Sequence, residues 1–284
     1  MTRMHEADLH THTTASDGTN PPAMNVELAW KAGLAAVSVT DHDTVSGVPE
    51  AQARGRELGI EVVPGVEIST VANGQDIHVL GYYMEIHNPL FLERLEGLRR
   101  VRDRRNEEII AKLRALGIEI TMDEVLAAAA KRSPERESVG RPHIADVLAR
   151  KGVVANMKEA FDRFLGQGGA AYASIPRIRP EEAIAWIREA GGAPVLAHPG
   201  LYHDDPLVES LARSGLAGIE VYHSDHLPED EAKYVEIAAR YDLLQTAGSD
   251  FHGERQGVVF HGSVGSKRVD VSVLEQLQQR RGLV

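Results

Sequence analysis

The sequence predicts an α/β fold, a barrel or parallel sheet interrupted by a helical insertion. Three observations predict it. Short apolar runs alternate with amphipathic helical stretches. That rhythm stops between about residues 86 and 173. Histidines and carboxylates recur directly after the apolar runs.

The strand candidates are residues 36–40, 61–64, 77–80, 194–197, 218–221 and 243–246. Between them lie helices with readable ends. One runs from Pro22 to Ala32 and closes on Gly33. Another starts at Pro180 and stops before Gly191-Gly192, the usual proline-in, glycine-out asymmetry. Residues 228–241 and 273–280 complete the set. In the middle of the chain, Leu92, Leu95 and Leu98, then Ile109, Leu113 and Leu116, mark a helical stripe that ends near Gly117. Thr121 followed by Glu124 is a capping box that opens the next helix. We therefore expect a barrel from residues 1–85 and 174–284 and a helical insertion over 86–173. The insertion holds 16 Lys and Arg against 13 Asp and Glu, which leaves the rest of the chain at −14. A mildly basic insertion on an acidic body suits an anionic substrate. For most of the arginines between Arg94 and Arg105, a solvated helix face is the preferred explanation of the charge.

Composition narrows the chemistry. With 284 residues, 43% of them hydrophobic and 26% charged, the chain can bury a large core. It has no cysteine, so disulfides and thiolate metal sites are excluded and any metal must be held by nitrogen and oxygen. A net charge of −11 argues against coating long nucleic acid by charge alone. The first residues lack a signal-peptide pattern and no stretch is apolar enough to span a bilayer, so the expected location is cytoplasmic, away from membranes.

The 13 histidines, against seven tyrosines and five phenylalanines, are explained by their positions. Asp8, His10 and His12 follow a further candidate segment at the N-terminal end of the sequence, with Asp17 in the next loop. Asp41-His42-Asp43 follows residues 36–40, and Glu67 follows 61–64. His78 lies within its own strand. His198, His223 and Asp250 with His252 follow the last three strands. The C-terminal ends of barrel strands form one rim, where active sites sit. Alternation along an extended segment lets His10 and His12 face one point together. Imidazoles and carboxylates suit Zn, Mn and Fe, and several carboxylates in one cavity need cations to offset their repulsion. His-x-His alone is a weak signal, because most strand-end histidines are structural; the joint pattern carries the metal reading. His5, His87, His203 and His261 sit in polar loops or near a terminus and read as solvated. His226 is ambiguous. His143, beside Arg141, could bind an anion, since Arg offers a planar fork to phosphate.

The set Asp8-Leu9-His10-Thr11-His12, Ser16-Asp17-Gly18, Thr40-Asp41-His42-Asp43, Gly65-Val66-Glu67, Ile77-His78, Ala197-His198-Pro199 and Ser249-Asp250-Phe251-His252 resembles the PHP (polymerase and histidinol phosphatase) superfamily. The resemblance implies a distorted (β/α)7 barrel with two or three divalent ions, manganese first and iron or zinc next. On this chain it implies that His10, His12, Glu67 and Asp250 hold one metal. Glu67 would bridge to a second with His78 and His198, and Asp17, His42 and His252 would hold the third. Asp17 and His223 are the candidate catalytic residues. His223 either contacts the phosphate or leaving alcohol, or only hydrogen-bonds behind the ligands. The insertion with Gly140-Arg141-Pro142-His143, followed by Ala171-Tyr172 and Pro176-Arg177, resembles bacterial 3′,5′-nucleoside bisphosphate phosphatases, some relatives of which are 5′→3′ exoribonucleases. That implies a small phosphorylated substrate, a nucleotide or short RNA, gripped by Arg141, His143 and Arg177.

Competing readings are a histidinol-phosphate phosphatase, an amidohydrolase-type barrel cleaving C–N bonds, and a non-catalytic nucleic-acid-binding module. The amidohydrolase type commonly needs a lysine at a strand end, and Lys31, Lys112, Lys151 and Lys233 fall on expected helices or their edges. The binding module needs exposed aromatics on a basic face. At 5% aromatic content the chain gives that little support.

Overall fold

The computed structural model describes residues 5–130, 138–255 and 257–282. The start of the N-terminal segment read for a leader, and part of the insertion, lie outside those residues.

The chain runs β1 (Glu6–Asp8), α1 (Pro22–Lys31), β2 (Ala36–Val39), α2 (Val48–Leu58), β3 (Glu61–Ala72) and β4 (Gln75–Tyr82). Then come α3 (Pro89–Ala115), α4 (Met122–Ala130), α5 (Arg141–Arg150) and the short α6 (Met157–Ala160), which continues as a π-turn over Phe161–Leu165. The barrel resumes with α7 (Pro180–Glu189), β5 (Ala193–Leu196), α8 (Asp205–Ala212), β6 (Gly218–His223), α9 (Pro228–Arg240) and β7 (Leu244–Gly248). The small strands β8 (Glu254–Arg255), β9 (Val258–Val259) and β10 (Val269–Asp270) and the helix α10 (Ser272–Gln279) follow.

One sheet orders the strands β10-β1-β2-β3-β4-β5-β6-β7. It closes where the segment after β1 meets the segment after β7: Leu9 N–H donates to Ala247 O, Asp250 N–H to His10 O and His12 N–H to Phe251 O. The result is a mixed α/β barrel. Most neighbours are parallel, but β4 runs antiparallel to both β3 and β5. The expectation of uniform βα alternation fails here, because no helix separates β3 from β4. Asn73-Gly74 turns the chain directly, with φ of 51° and 75°, the left-handed pair that a two-residue hairpin requires.

Helix ends follow local chemistry. Thr121 N–H donates to Glu124 Oε2 at 2.9 Å and Glu124 N–H to Thr121 Oγ1 at 3.2 Å, which is the expected capping box. Helix α3 joins two cores. Phe91, Leu95 and Leu98 pack with barrel residues such as Val66, Val79 and Ile187, whereas Ile109 and Leu113 pack with Ile144, Leu148 and Phe164. Between those halves α3 buries Arg102, Arg105 and Asn106. The two arginines line the cavity at the barrel mouth, and Asn106 donates to Val139 O.

Candidate metal centre

Most of the functional side chains stand at strand ends, whereas Glu67 and His78 lie within β3 and β4 and Asp17 in the loop after β1. Asp8, buried at the end of β1, accepts hydrogen bonds from the N–H groups of His10, Ser249 and Gly265, pinning three segments together. His10 and His12 then point the same way, with their Nε2 atoms 3.1 Å apart. Asp41 accepts from Thr13 N–H, Thr13 Oγ1 and Ser16 Oγ, which folds the loop carrying Asp17. Glycine is required at two close approaches. A Cβ on Gly18 would strike the His12 carbonyl, and one on Gly248 would strike His10 and Glu220. Asp43, His198 and Asp250 have φ of 55°, 25° and 53°, conformations that cost energy in non-glycine residues and gather at functional sites.

Around one point stand His10 Nε2, His12 Nε2, Glu67 and Asp250. Asp250 Oδ1 lies 3.3 Å from His10 Nε2 and 3.1 Å from His12 Nε2, and Glu67 Oε2 lies 3.2 Å from His12 Nε2. Ligand atoms about 2.0–2.1 Å from a tetrahedral ion would be roughly 3.3 Å apart. Glu67 Oε1 also meets His78 Nδ1 at 2.7 Å and His198 Nε2 at 3.1 Å. Asp17 Oδ1 meets His252 Nε2 at 3.3 Å, and Asp17 Oδ2 meets His42 Nε2 at 3.7 Å. His42 reaches Glu67 as well, Nδ1 to Oε2 at 2.9 Å, so it borders two of these groups.

The donor set passes a simple test of fit. His12 Nδ1, His42 Nδ1, Glu67 Oε2, His78 Nδ1, His198 Nδ1 and Asp250 Oδ1 are buried without an aligned hydrogen bond. Buried polar atoms left so are costly, and cations among them would satisfy the set. The ionisable groups compensate one another: burial lowers His10 and His12, but the carboxylates around them outweigh it and raise His10 well above the usual value and His12 to about 10, a proton that a cation would displace. Burial pushes the Glu67 carboxyl up, but His78, His42 and His10 outweigh it and hold it well below the usual range. Burial likewise raises Asp17 and Asp250, while surrounding imidazoles bring both well below. Burial holds His198 down to about 4, the neutral form a metal needs. His10 is oriented from behind: its Nδ1 lies 2.9 Å from Glu220 Oε1, and Glu220 Oε2 accepts the His198 N–H at 2.8 Å. Such a partner fixes the tautomer and aims the other ring nitrogen.

The cage opens into a cavity of about 200 Å³. Asp17, His42, Glu67, His78, Asp250 and His252 line one end, and Ser69, Asp76, Arg102, Arg105, Arg141 and Arg177 line the other. Arg141 Nη2 donates to Asp76 Oδ2 at 2.7 Å, and Arg177 Nη2 donates to Asp76 Oδ1. A caged set of imidazoles and carboxylates facing guanidinium groups across one cavity suits phosphate ester chemistry.

Sequence comparison agrees with that geometry. Residues 8–165 match the PHP domain. The chain belongs to the PHP domain family. A 5′-3′ exoribonuclease of Haemophilus influenzae is 34% identical over 250 residues, 86% of this chain and 89% of that protein. A 3′,5′-nucleoside bisphosphate phosphatase of Chromobacterium violaceum is 32% identical over 259 residues, 89% and 90% of the two chains. Among solved structures, a protein assigned as a metal-dependent phosphoesterase from Bifidobacterium adolescentis superposes with a TM-score of 0.87 at 34% identity, covering 96% of both chains. The molecule is therefore a metal-dependent hydrolase of phosphoester bonds, with clusters of imidazole and carboxylate groups suited to divalent cations. No helix among the described residues is long and apolar enough to cross a membrane.

Within this PHP site some sequence expectations need adjustment. His223 is fully buried, does not line the cavity, and sits 3.3 Å behind Asp250, its Nδ1 accepting from Asp225 N–H. The ring stands away from the cavity lining, and its Nε2 faces Asp250 Oδ2 without a hydrogen bond. His143 also turns away from the cavity; it is buried and accepts the Gly140 N–H at the start of α5. His226 is structural, bonded to Val221 O and Gly200 N–H. His261, read as solvated, is exposed and also lines the cavity, its Nδ1 against Asp225 and its Nε2 3.6 Å from Asp250. The segment after β9 folds over the barrel mouth and Asp225 holds it there. Sequence reasoning also missed Glu220, Asp76, Arg102 and Arg105. A charged residue inside the apolar strand Gly218–His223 was the available signal for Glu220.

Proposed function

We propose that this chain removes the 3′-phosphate from nucleoside 3′,5′-bisphosphates and, through the same site, trims short RNA from its 5′ end. The observation that carries this reading is the shared cavity. The caged donors can engage the reacting phosphate while Arg141 and Arg177 engage a second phosphate on the same molecule. The names of the Haemophilus and Chromobacterium relatives support the same substrate class.

In this reading His10, His12, Glu67 and Asp250 hold one cation. Glu67, His78 and His198 hold a second, and Asp17, His42 and His252 a third, manganese being the first candidate. When bound, divalent cations supply charge neutralisation for phosphate oxygens and a hydroxide available near neutral pH. The protein's own part is orientation. Glu220 aims His10, Asp41 holds the loop of Asp17, and His223 sets its ring 3.3 Å from Asp250. His261, braced by Asp225, presents a ring to the cavity where the leaving group would lie. The segment 86–173 acts as the substrate-binding insertion, because Arg102, Arg105 and Arg141 all come from it.

An assay on manganese-loaded protein tests the assignment, reading inorganic phosphate from the monoesters and released mononucleotide from the RNA. It compares a nucleoside 3′,5′-bisphosphate, a nucleoside 5′-monophosphate, histidinol phosphate and a short 5′-phosphorylated RNA. The bisphosphate should give the highest kcat/KM. Equal or faster turnover of histidinol phosphate would overturn the reading.

A further inference from the structure

Asp17 is the one candidate ligand that neither a strand nor a strand end carries. Hydrogen bonds on either side shape its loop: Ser16 Oγ donates to Asp41 Oδ1 at 2.6 Å, and Thr19 N–H donates to His252 O at 2.9 Å. The carbonyl of Asp17 itself is held by a side chain from elsewhere. Arg255, on β8, donates from Nη2 to Asp17 O. This arginine is 5% exposed. Its Nη1 lies 3.7 Å from Met157 Sδ, and its Nε lies 3.6 Å from Asp146 Oδ2. Asp146 is in α5 and Met157 opens α6, so both partners belong to the insertion.

The contact acts on the Asp17 loop in two ways. A buried guanidinium donating to a carbonyl makes a charge-assisted hydrogen bond, one of the stronger kinds. It fixes the peptide between Asp17 and Gly18, where the glycine has no side chain to resist rotation. The backbone from which the Asp17 carboxylate projects is thereby held, with Oδ1 3.3 Å from His252 Nε2 and Oδ2 3.7 Å from His42 Nε2. The guanidinium also brings a positive charge close to a site that must hold a cation. Asp146 offsets that charge. One carboxylate of the insertion thus decides whether Arg255 supports the site or repels its ion.

We propose that Arg255 is a positioning residue for the cation site of Asp17, His42 and His252, and that the helical insertion sets the affinity of that site through the Asp146–Arg255 pair. The proposal rests on the ligand assignment given above. The other two groups of ligands take their support from the barrel: Glu220 holds His10 and His198, and the pairing of β3 with β4 holds Glu67 and His78. Loosening Arg255 therefore acts on one site and spares the others. A cavity of about 210 Å³ between α5, α6 and the β8–β9 hairpin borders the Arg255 side chain, so a methionine fits in its place.

The test dialyses full-length, metal-free protein to equilibrium against graded manganese and counts bound ions by elemental analysis. His252→Ala removes a ligand and so marks the step of the isotherm that belongs to this site. Arg255→Met and Asp146→Asn should each weaken that step about 10–100-fold, as loss of a residue that orients a ligand does, and leave the other steps in place. Arg255→Lys keeps the charge without the planar fork and should recover part of the loss. In a His252→Ala background, Arg255→Met should change nothing further. In the double variant Arg255→Met/Asp146→Asn the losses should not add, because the pair acts as a unit. Thermal unfolding of the metal-free variants confirms that each is folded.

An ion lost in His252→Ala but bound at full strength in Arg255→Met overturns the positioning role and leaves the ligand assignment standing. Equal weakening of every step overturns it too, since Arg255 would then only support the fold. Losses that add in the double variant overturn the route from the insertion. If His252→Ala keeps every ion of the wild type, the ligand assignment falls and the proposal falls with it.

Discussion

The two ends of the cavity are built in opposite ways. At the cage end, every candidate ligand but Asp17 sits in or just beyond a strand of the barrel, so closing the sheet brings them together, and Asp17 joins through the loop that Asp41 holds. At the guanidinium end, Arg105 comes from the middle of α3, Arg141 from the first turn of α5, and Arg177 from the segment before α7. Their meeting depends on how helices pack on the barrel. The cage is thus a product of topology and the arginine end a product of packing. Substitutions should divide along that line.

The largest effect belongs to Glu67, whose carboxylate meets His12, His42, His78 and His198 within 3.2 Å. Glu67→Ala should abolish metal retention, read by elemental analysis, and cut kcat/KM by at least about 1,000-fold. Retained metal with full activity would dissolve the cage. Glu220→Gln comes next. It keeps the shape behind His10 but removes the charge, so metal affinity should fall about 10–100-fold. The fold should persist, as far-ultraviolet circular dichroism would report.

Arg141→Ala works on the other end. It should raise KM for a bisphosphate about 10-fold while raising it far less for a monophosphate, with metal content unchanged. Equal rises for both substrates would remove the arginine from second-phosphate binding and make it a brace for Asp76.

The same division explains what the sequence disclosed. The barrel and the convergence of His10, His12, His42, Glu67, His78, His198, Asp250 and His252 were legible, because strand ends share a rim whatever the details of packing. The β3–β4 hairpin was legible too, in Asn73-Gly74, but it is hidden by an expectation of βα alternation. Arg102 and Arg105 were harder. Charged residues on a long helix usually face solvent, and their stripe position emerges only once Phe91, Leu95, Ile109 and Leu113 are aligned with them. His261 lay beyond reach, since nothing local says that the loop after β9 returns over the barrel mouth and pairs with Asp225. His223 shows the converse: a strand-end histidine whose ring lies behind the ligands.

The smallest effect tests whether the two ends are mechanically separable. Thr121 is exposed, far in sequence from every candidate ligand, and its hydroxyl caps α4. Thr121→Ala should lower stability by about 1 kcal/mol, as loss of a helix cap does. Helix α4 packs on α3 and α5 within the second core, which holds Ile109, Val125 and Ile144. If that core unfolds as a unit of its own, the loss will show as faster amide hydrogen exchange across α4 and α5, with exchange in β1 through β4 unchanged. If exchange accelerates equally in the barrel strands, the helices and barrel form one cooperative unit. Packing and topology would then be inseparable in this fold, and Arg102, donating to Asp43 beside His42, would be the structural link through which they are joined.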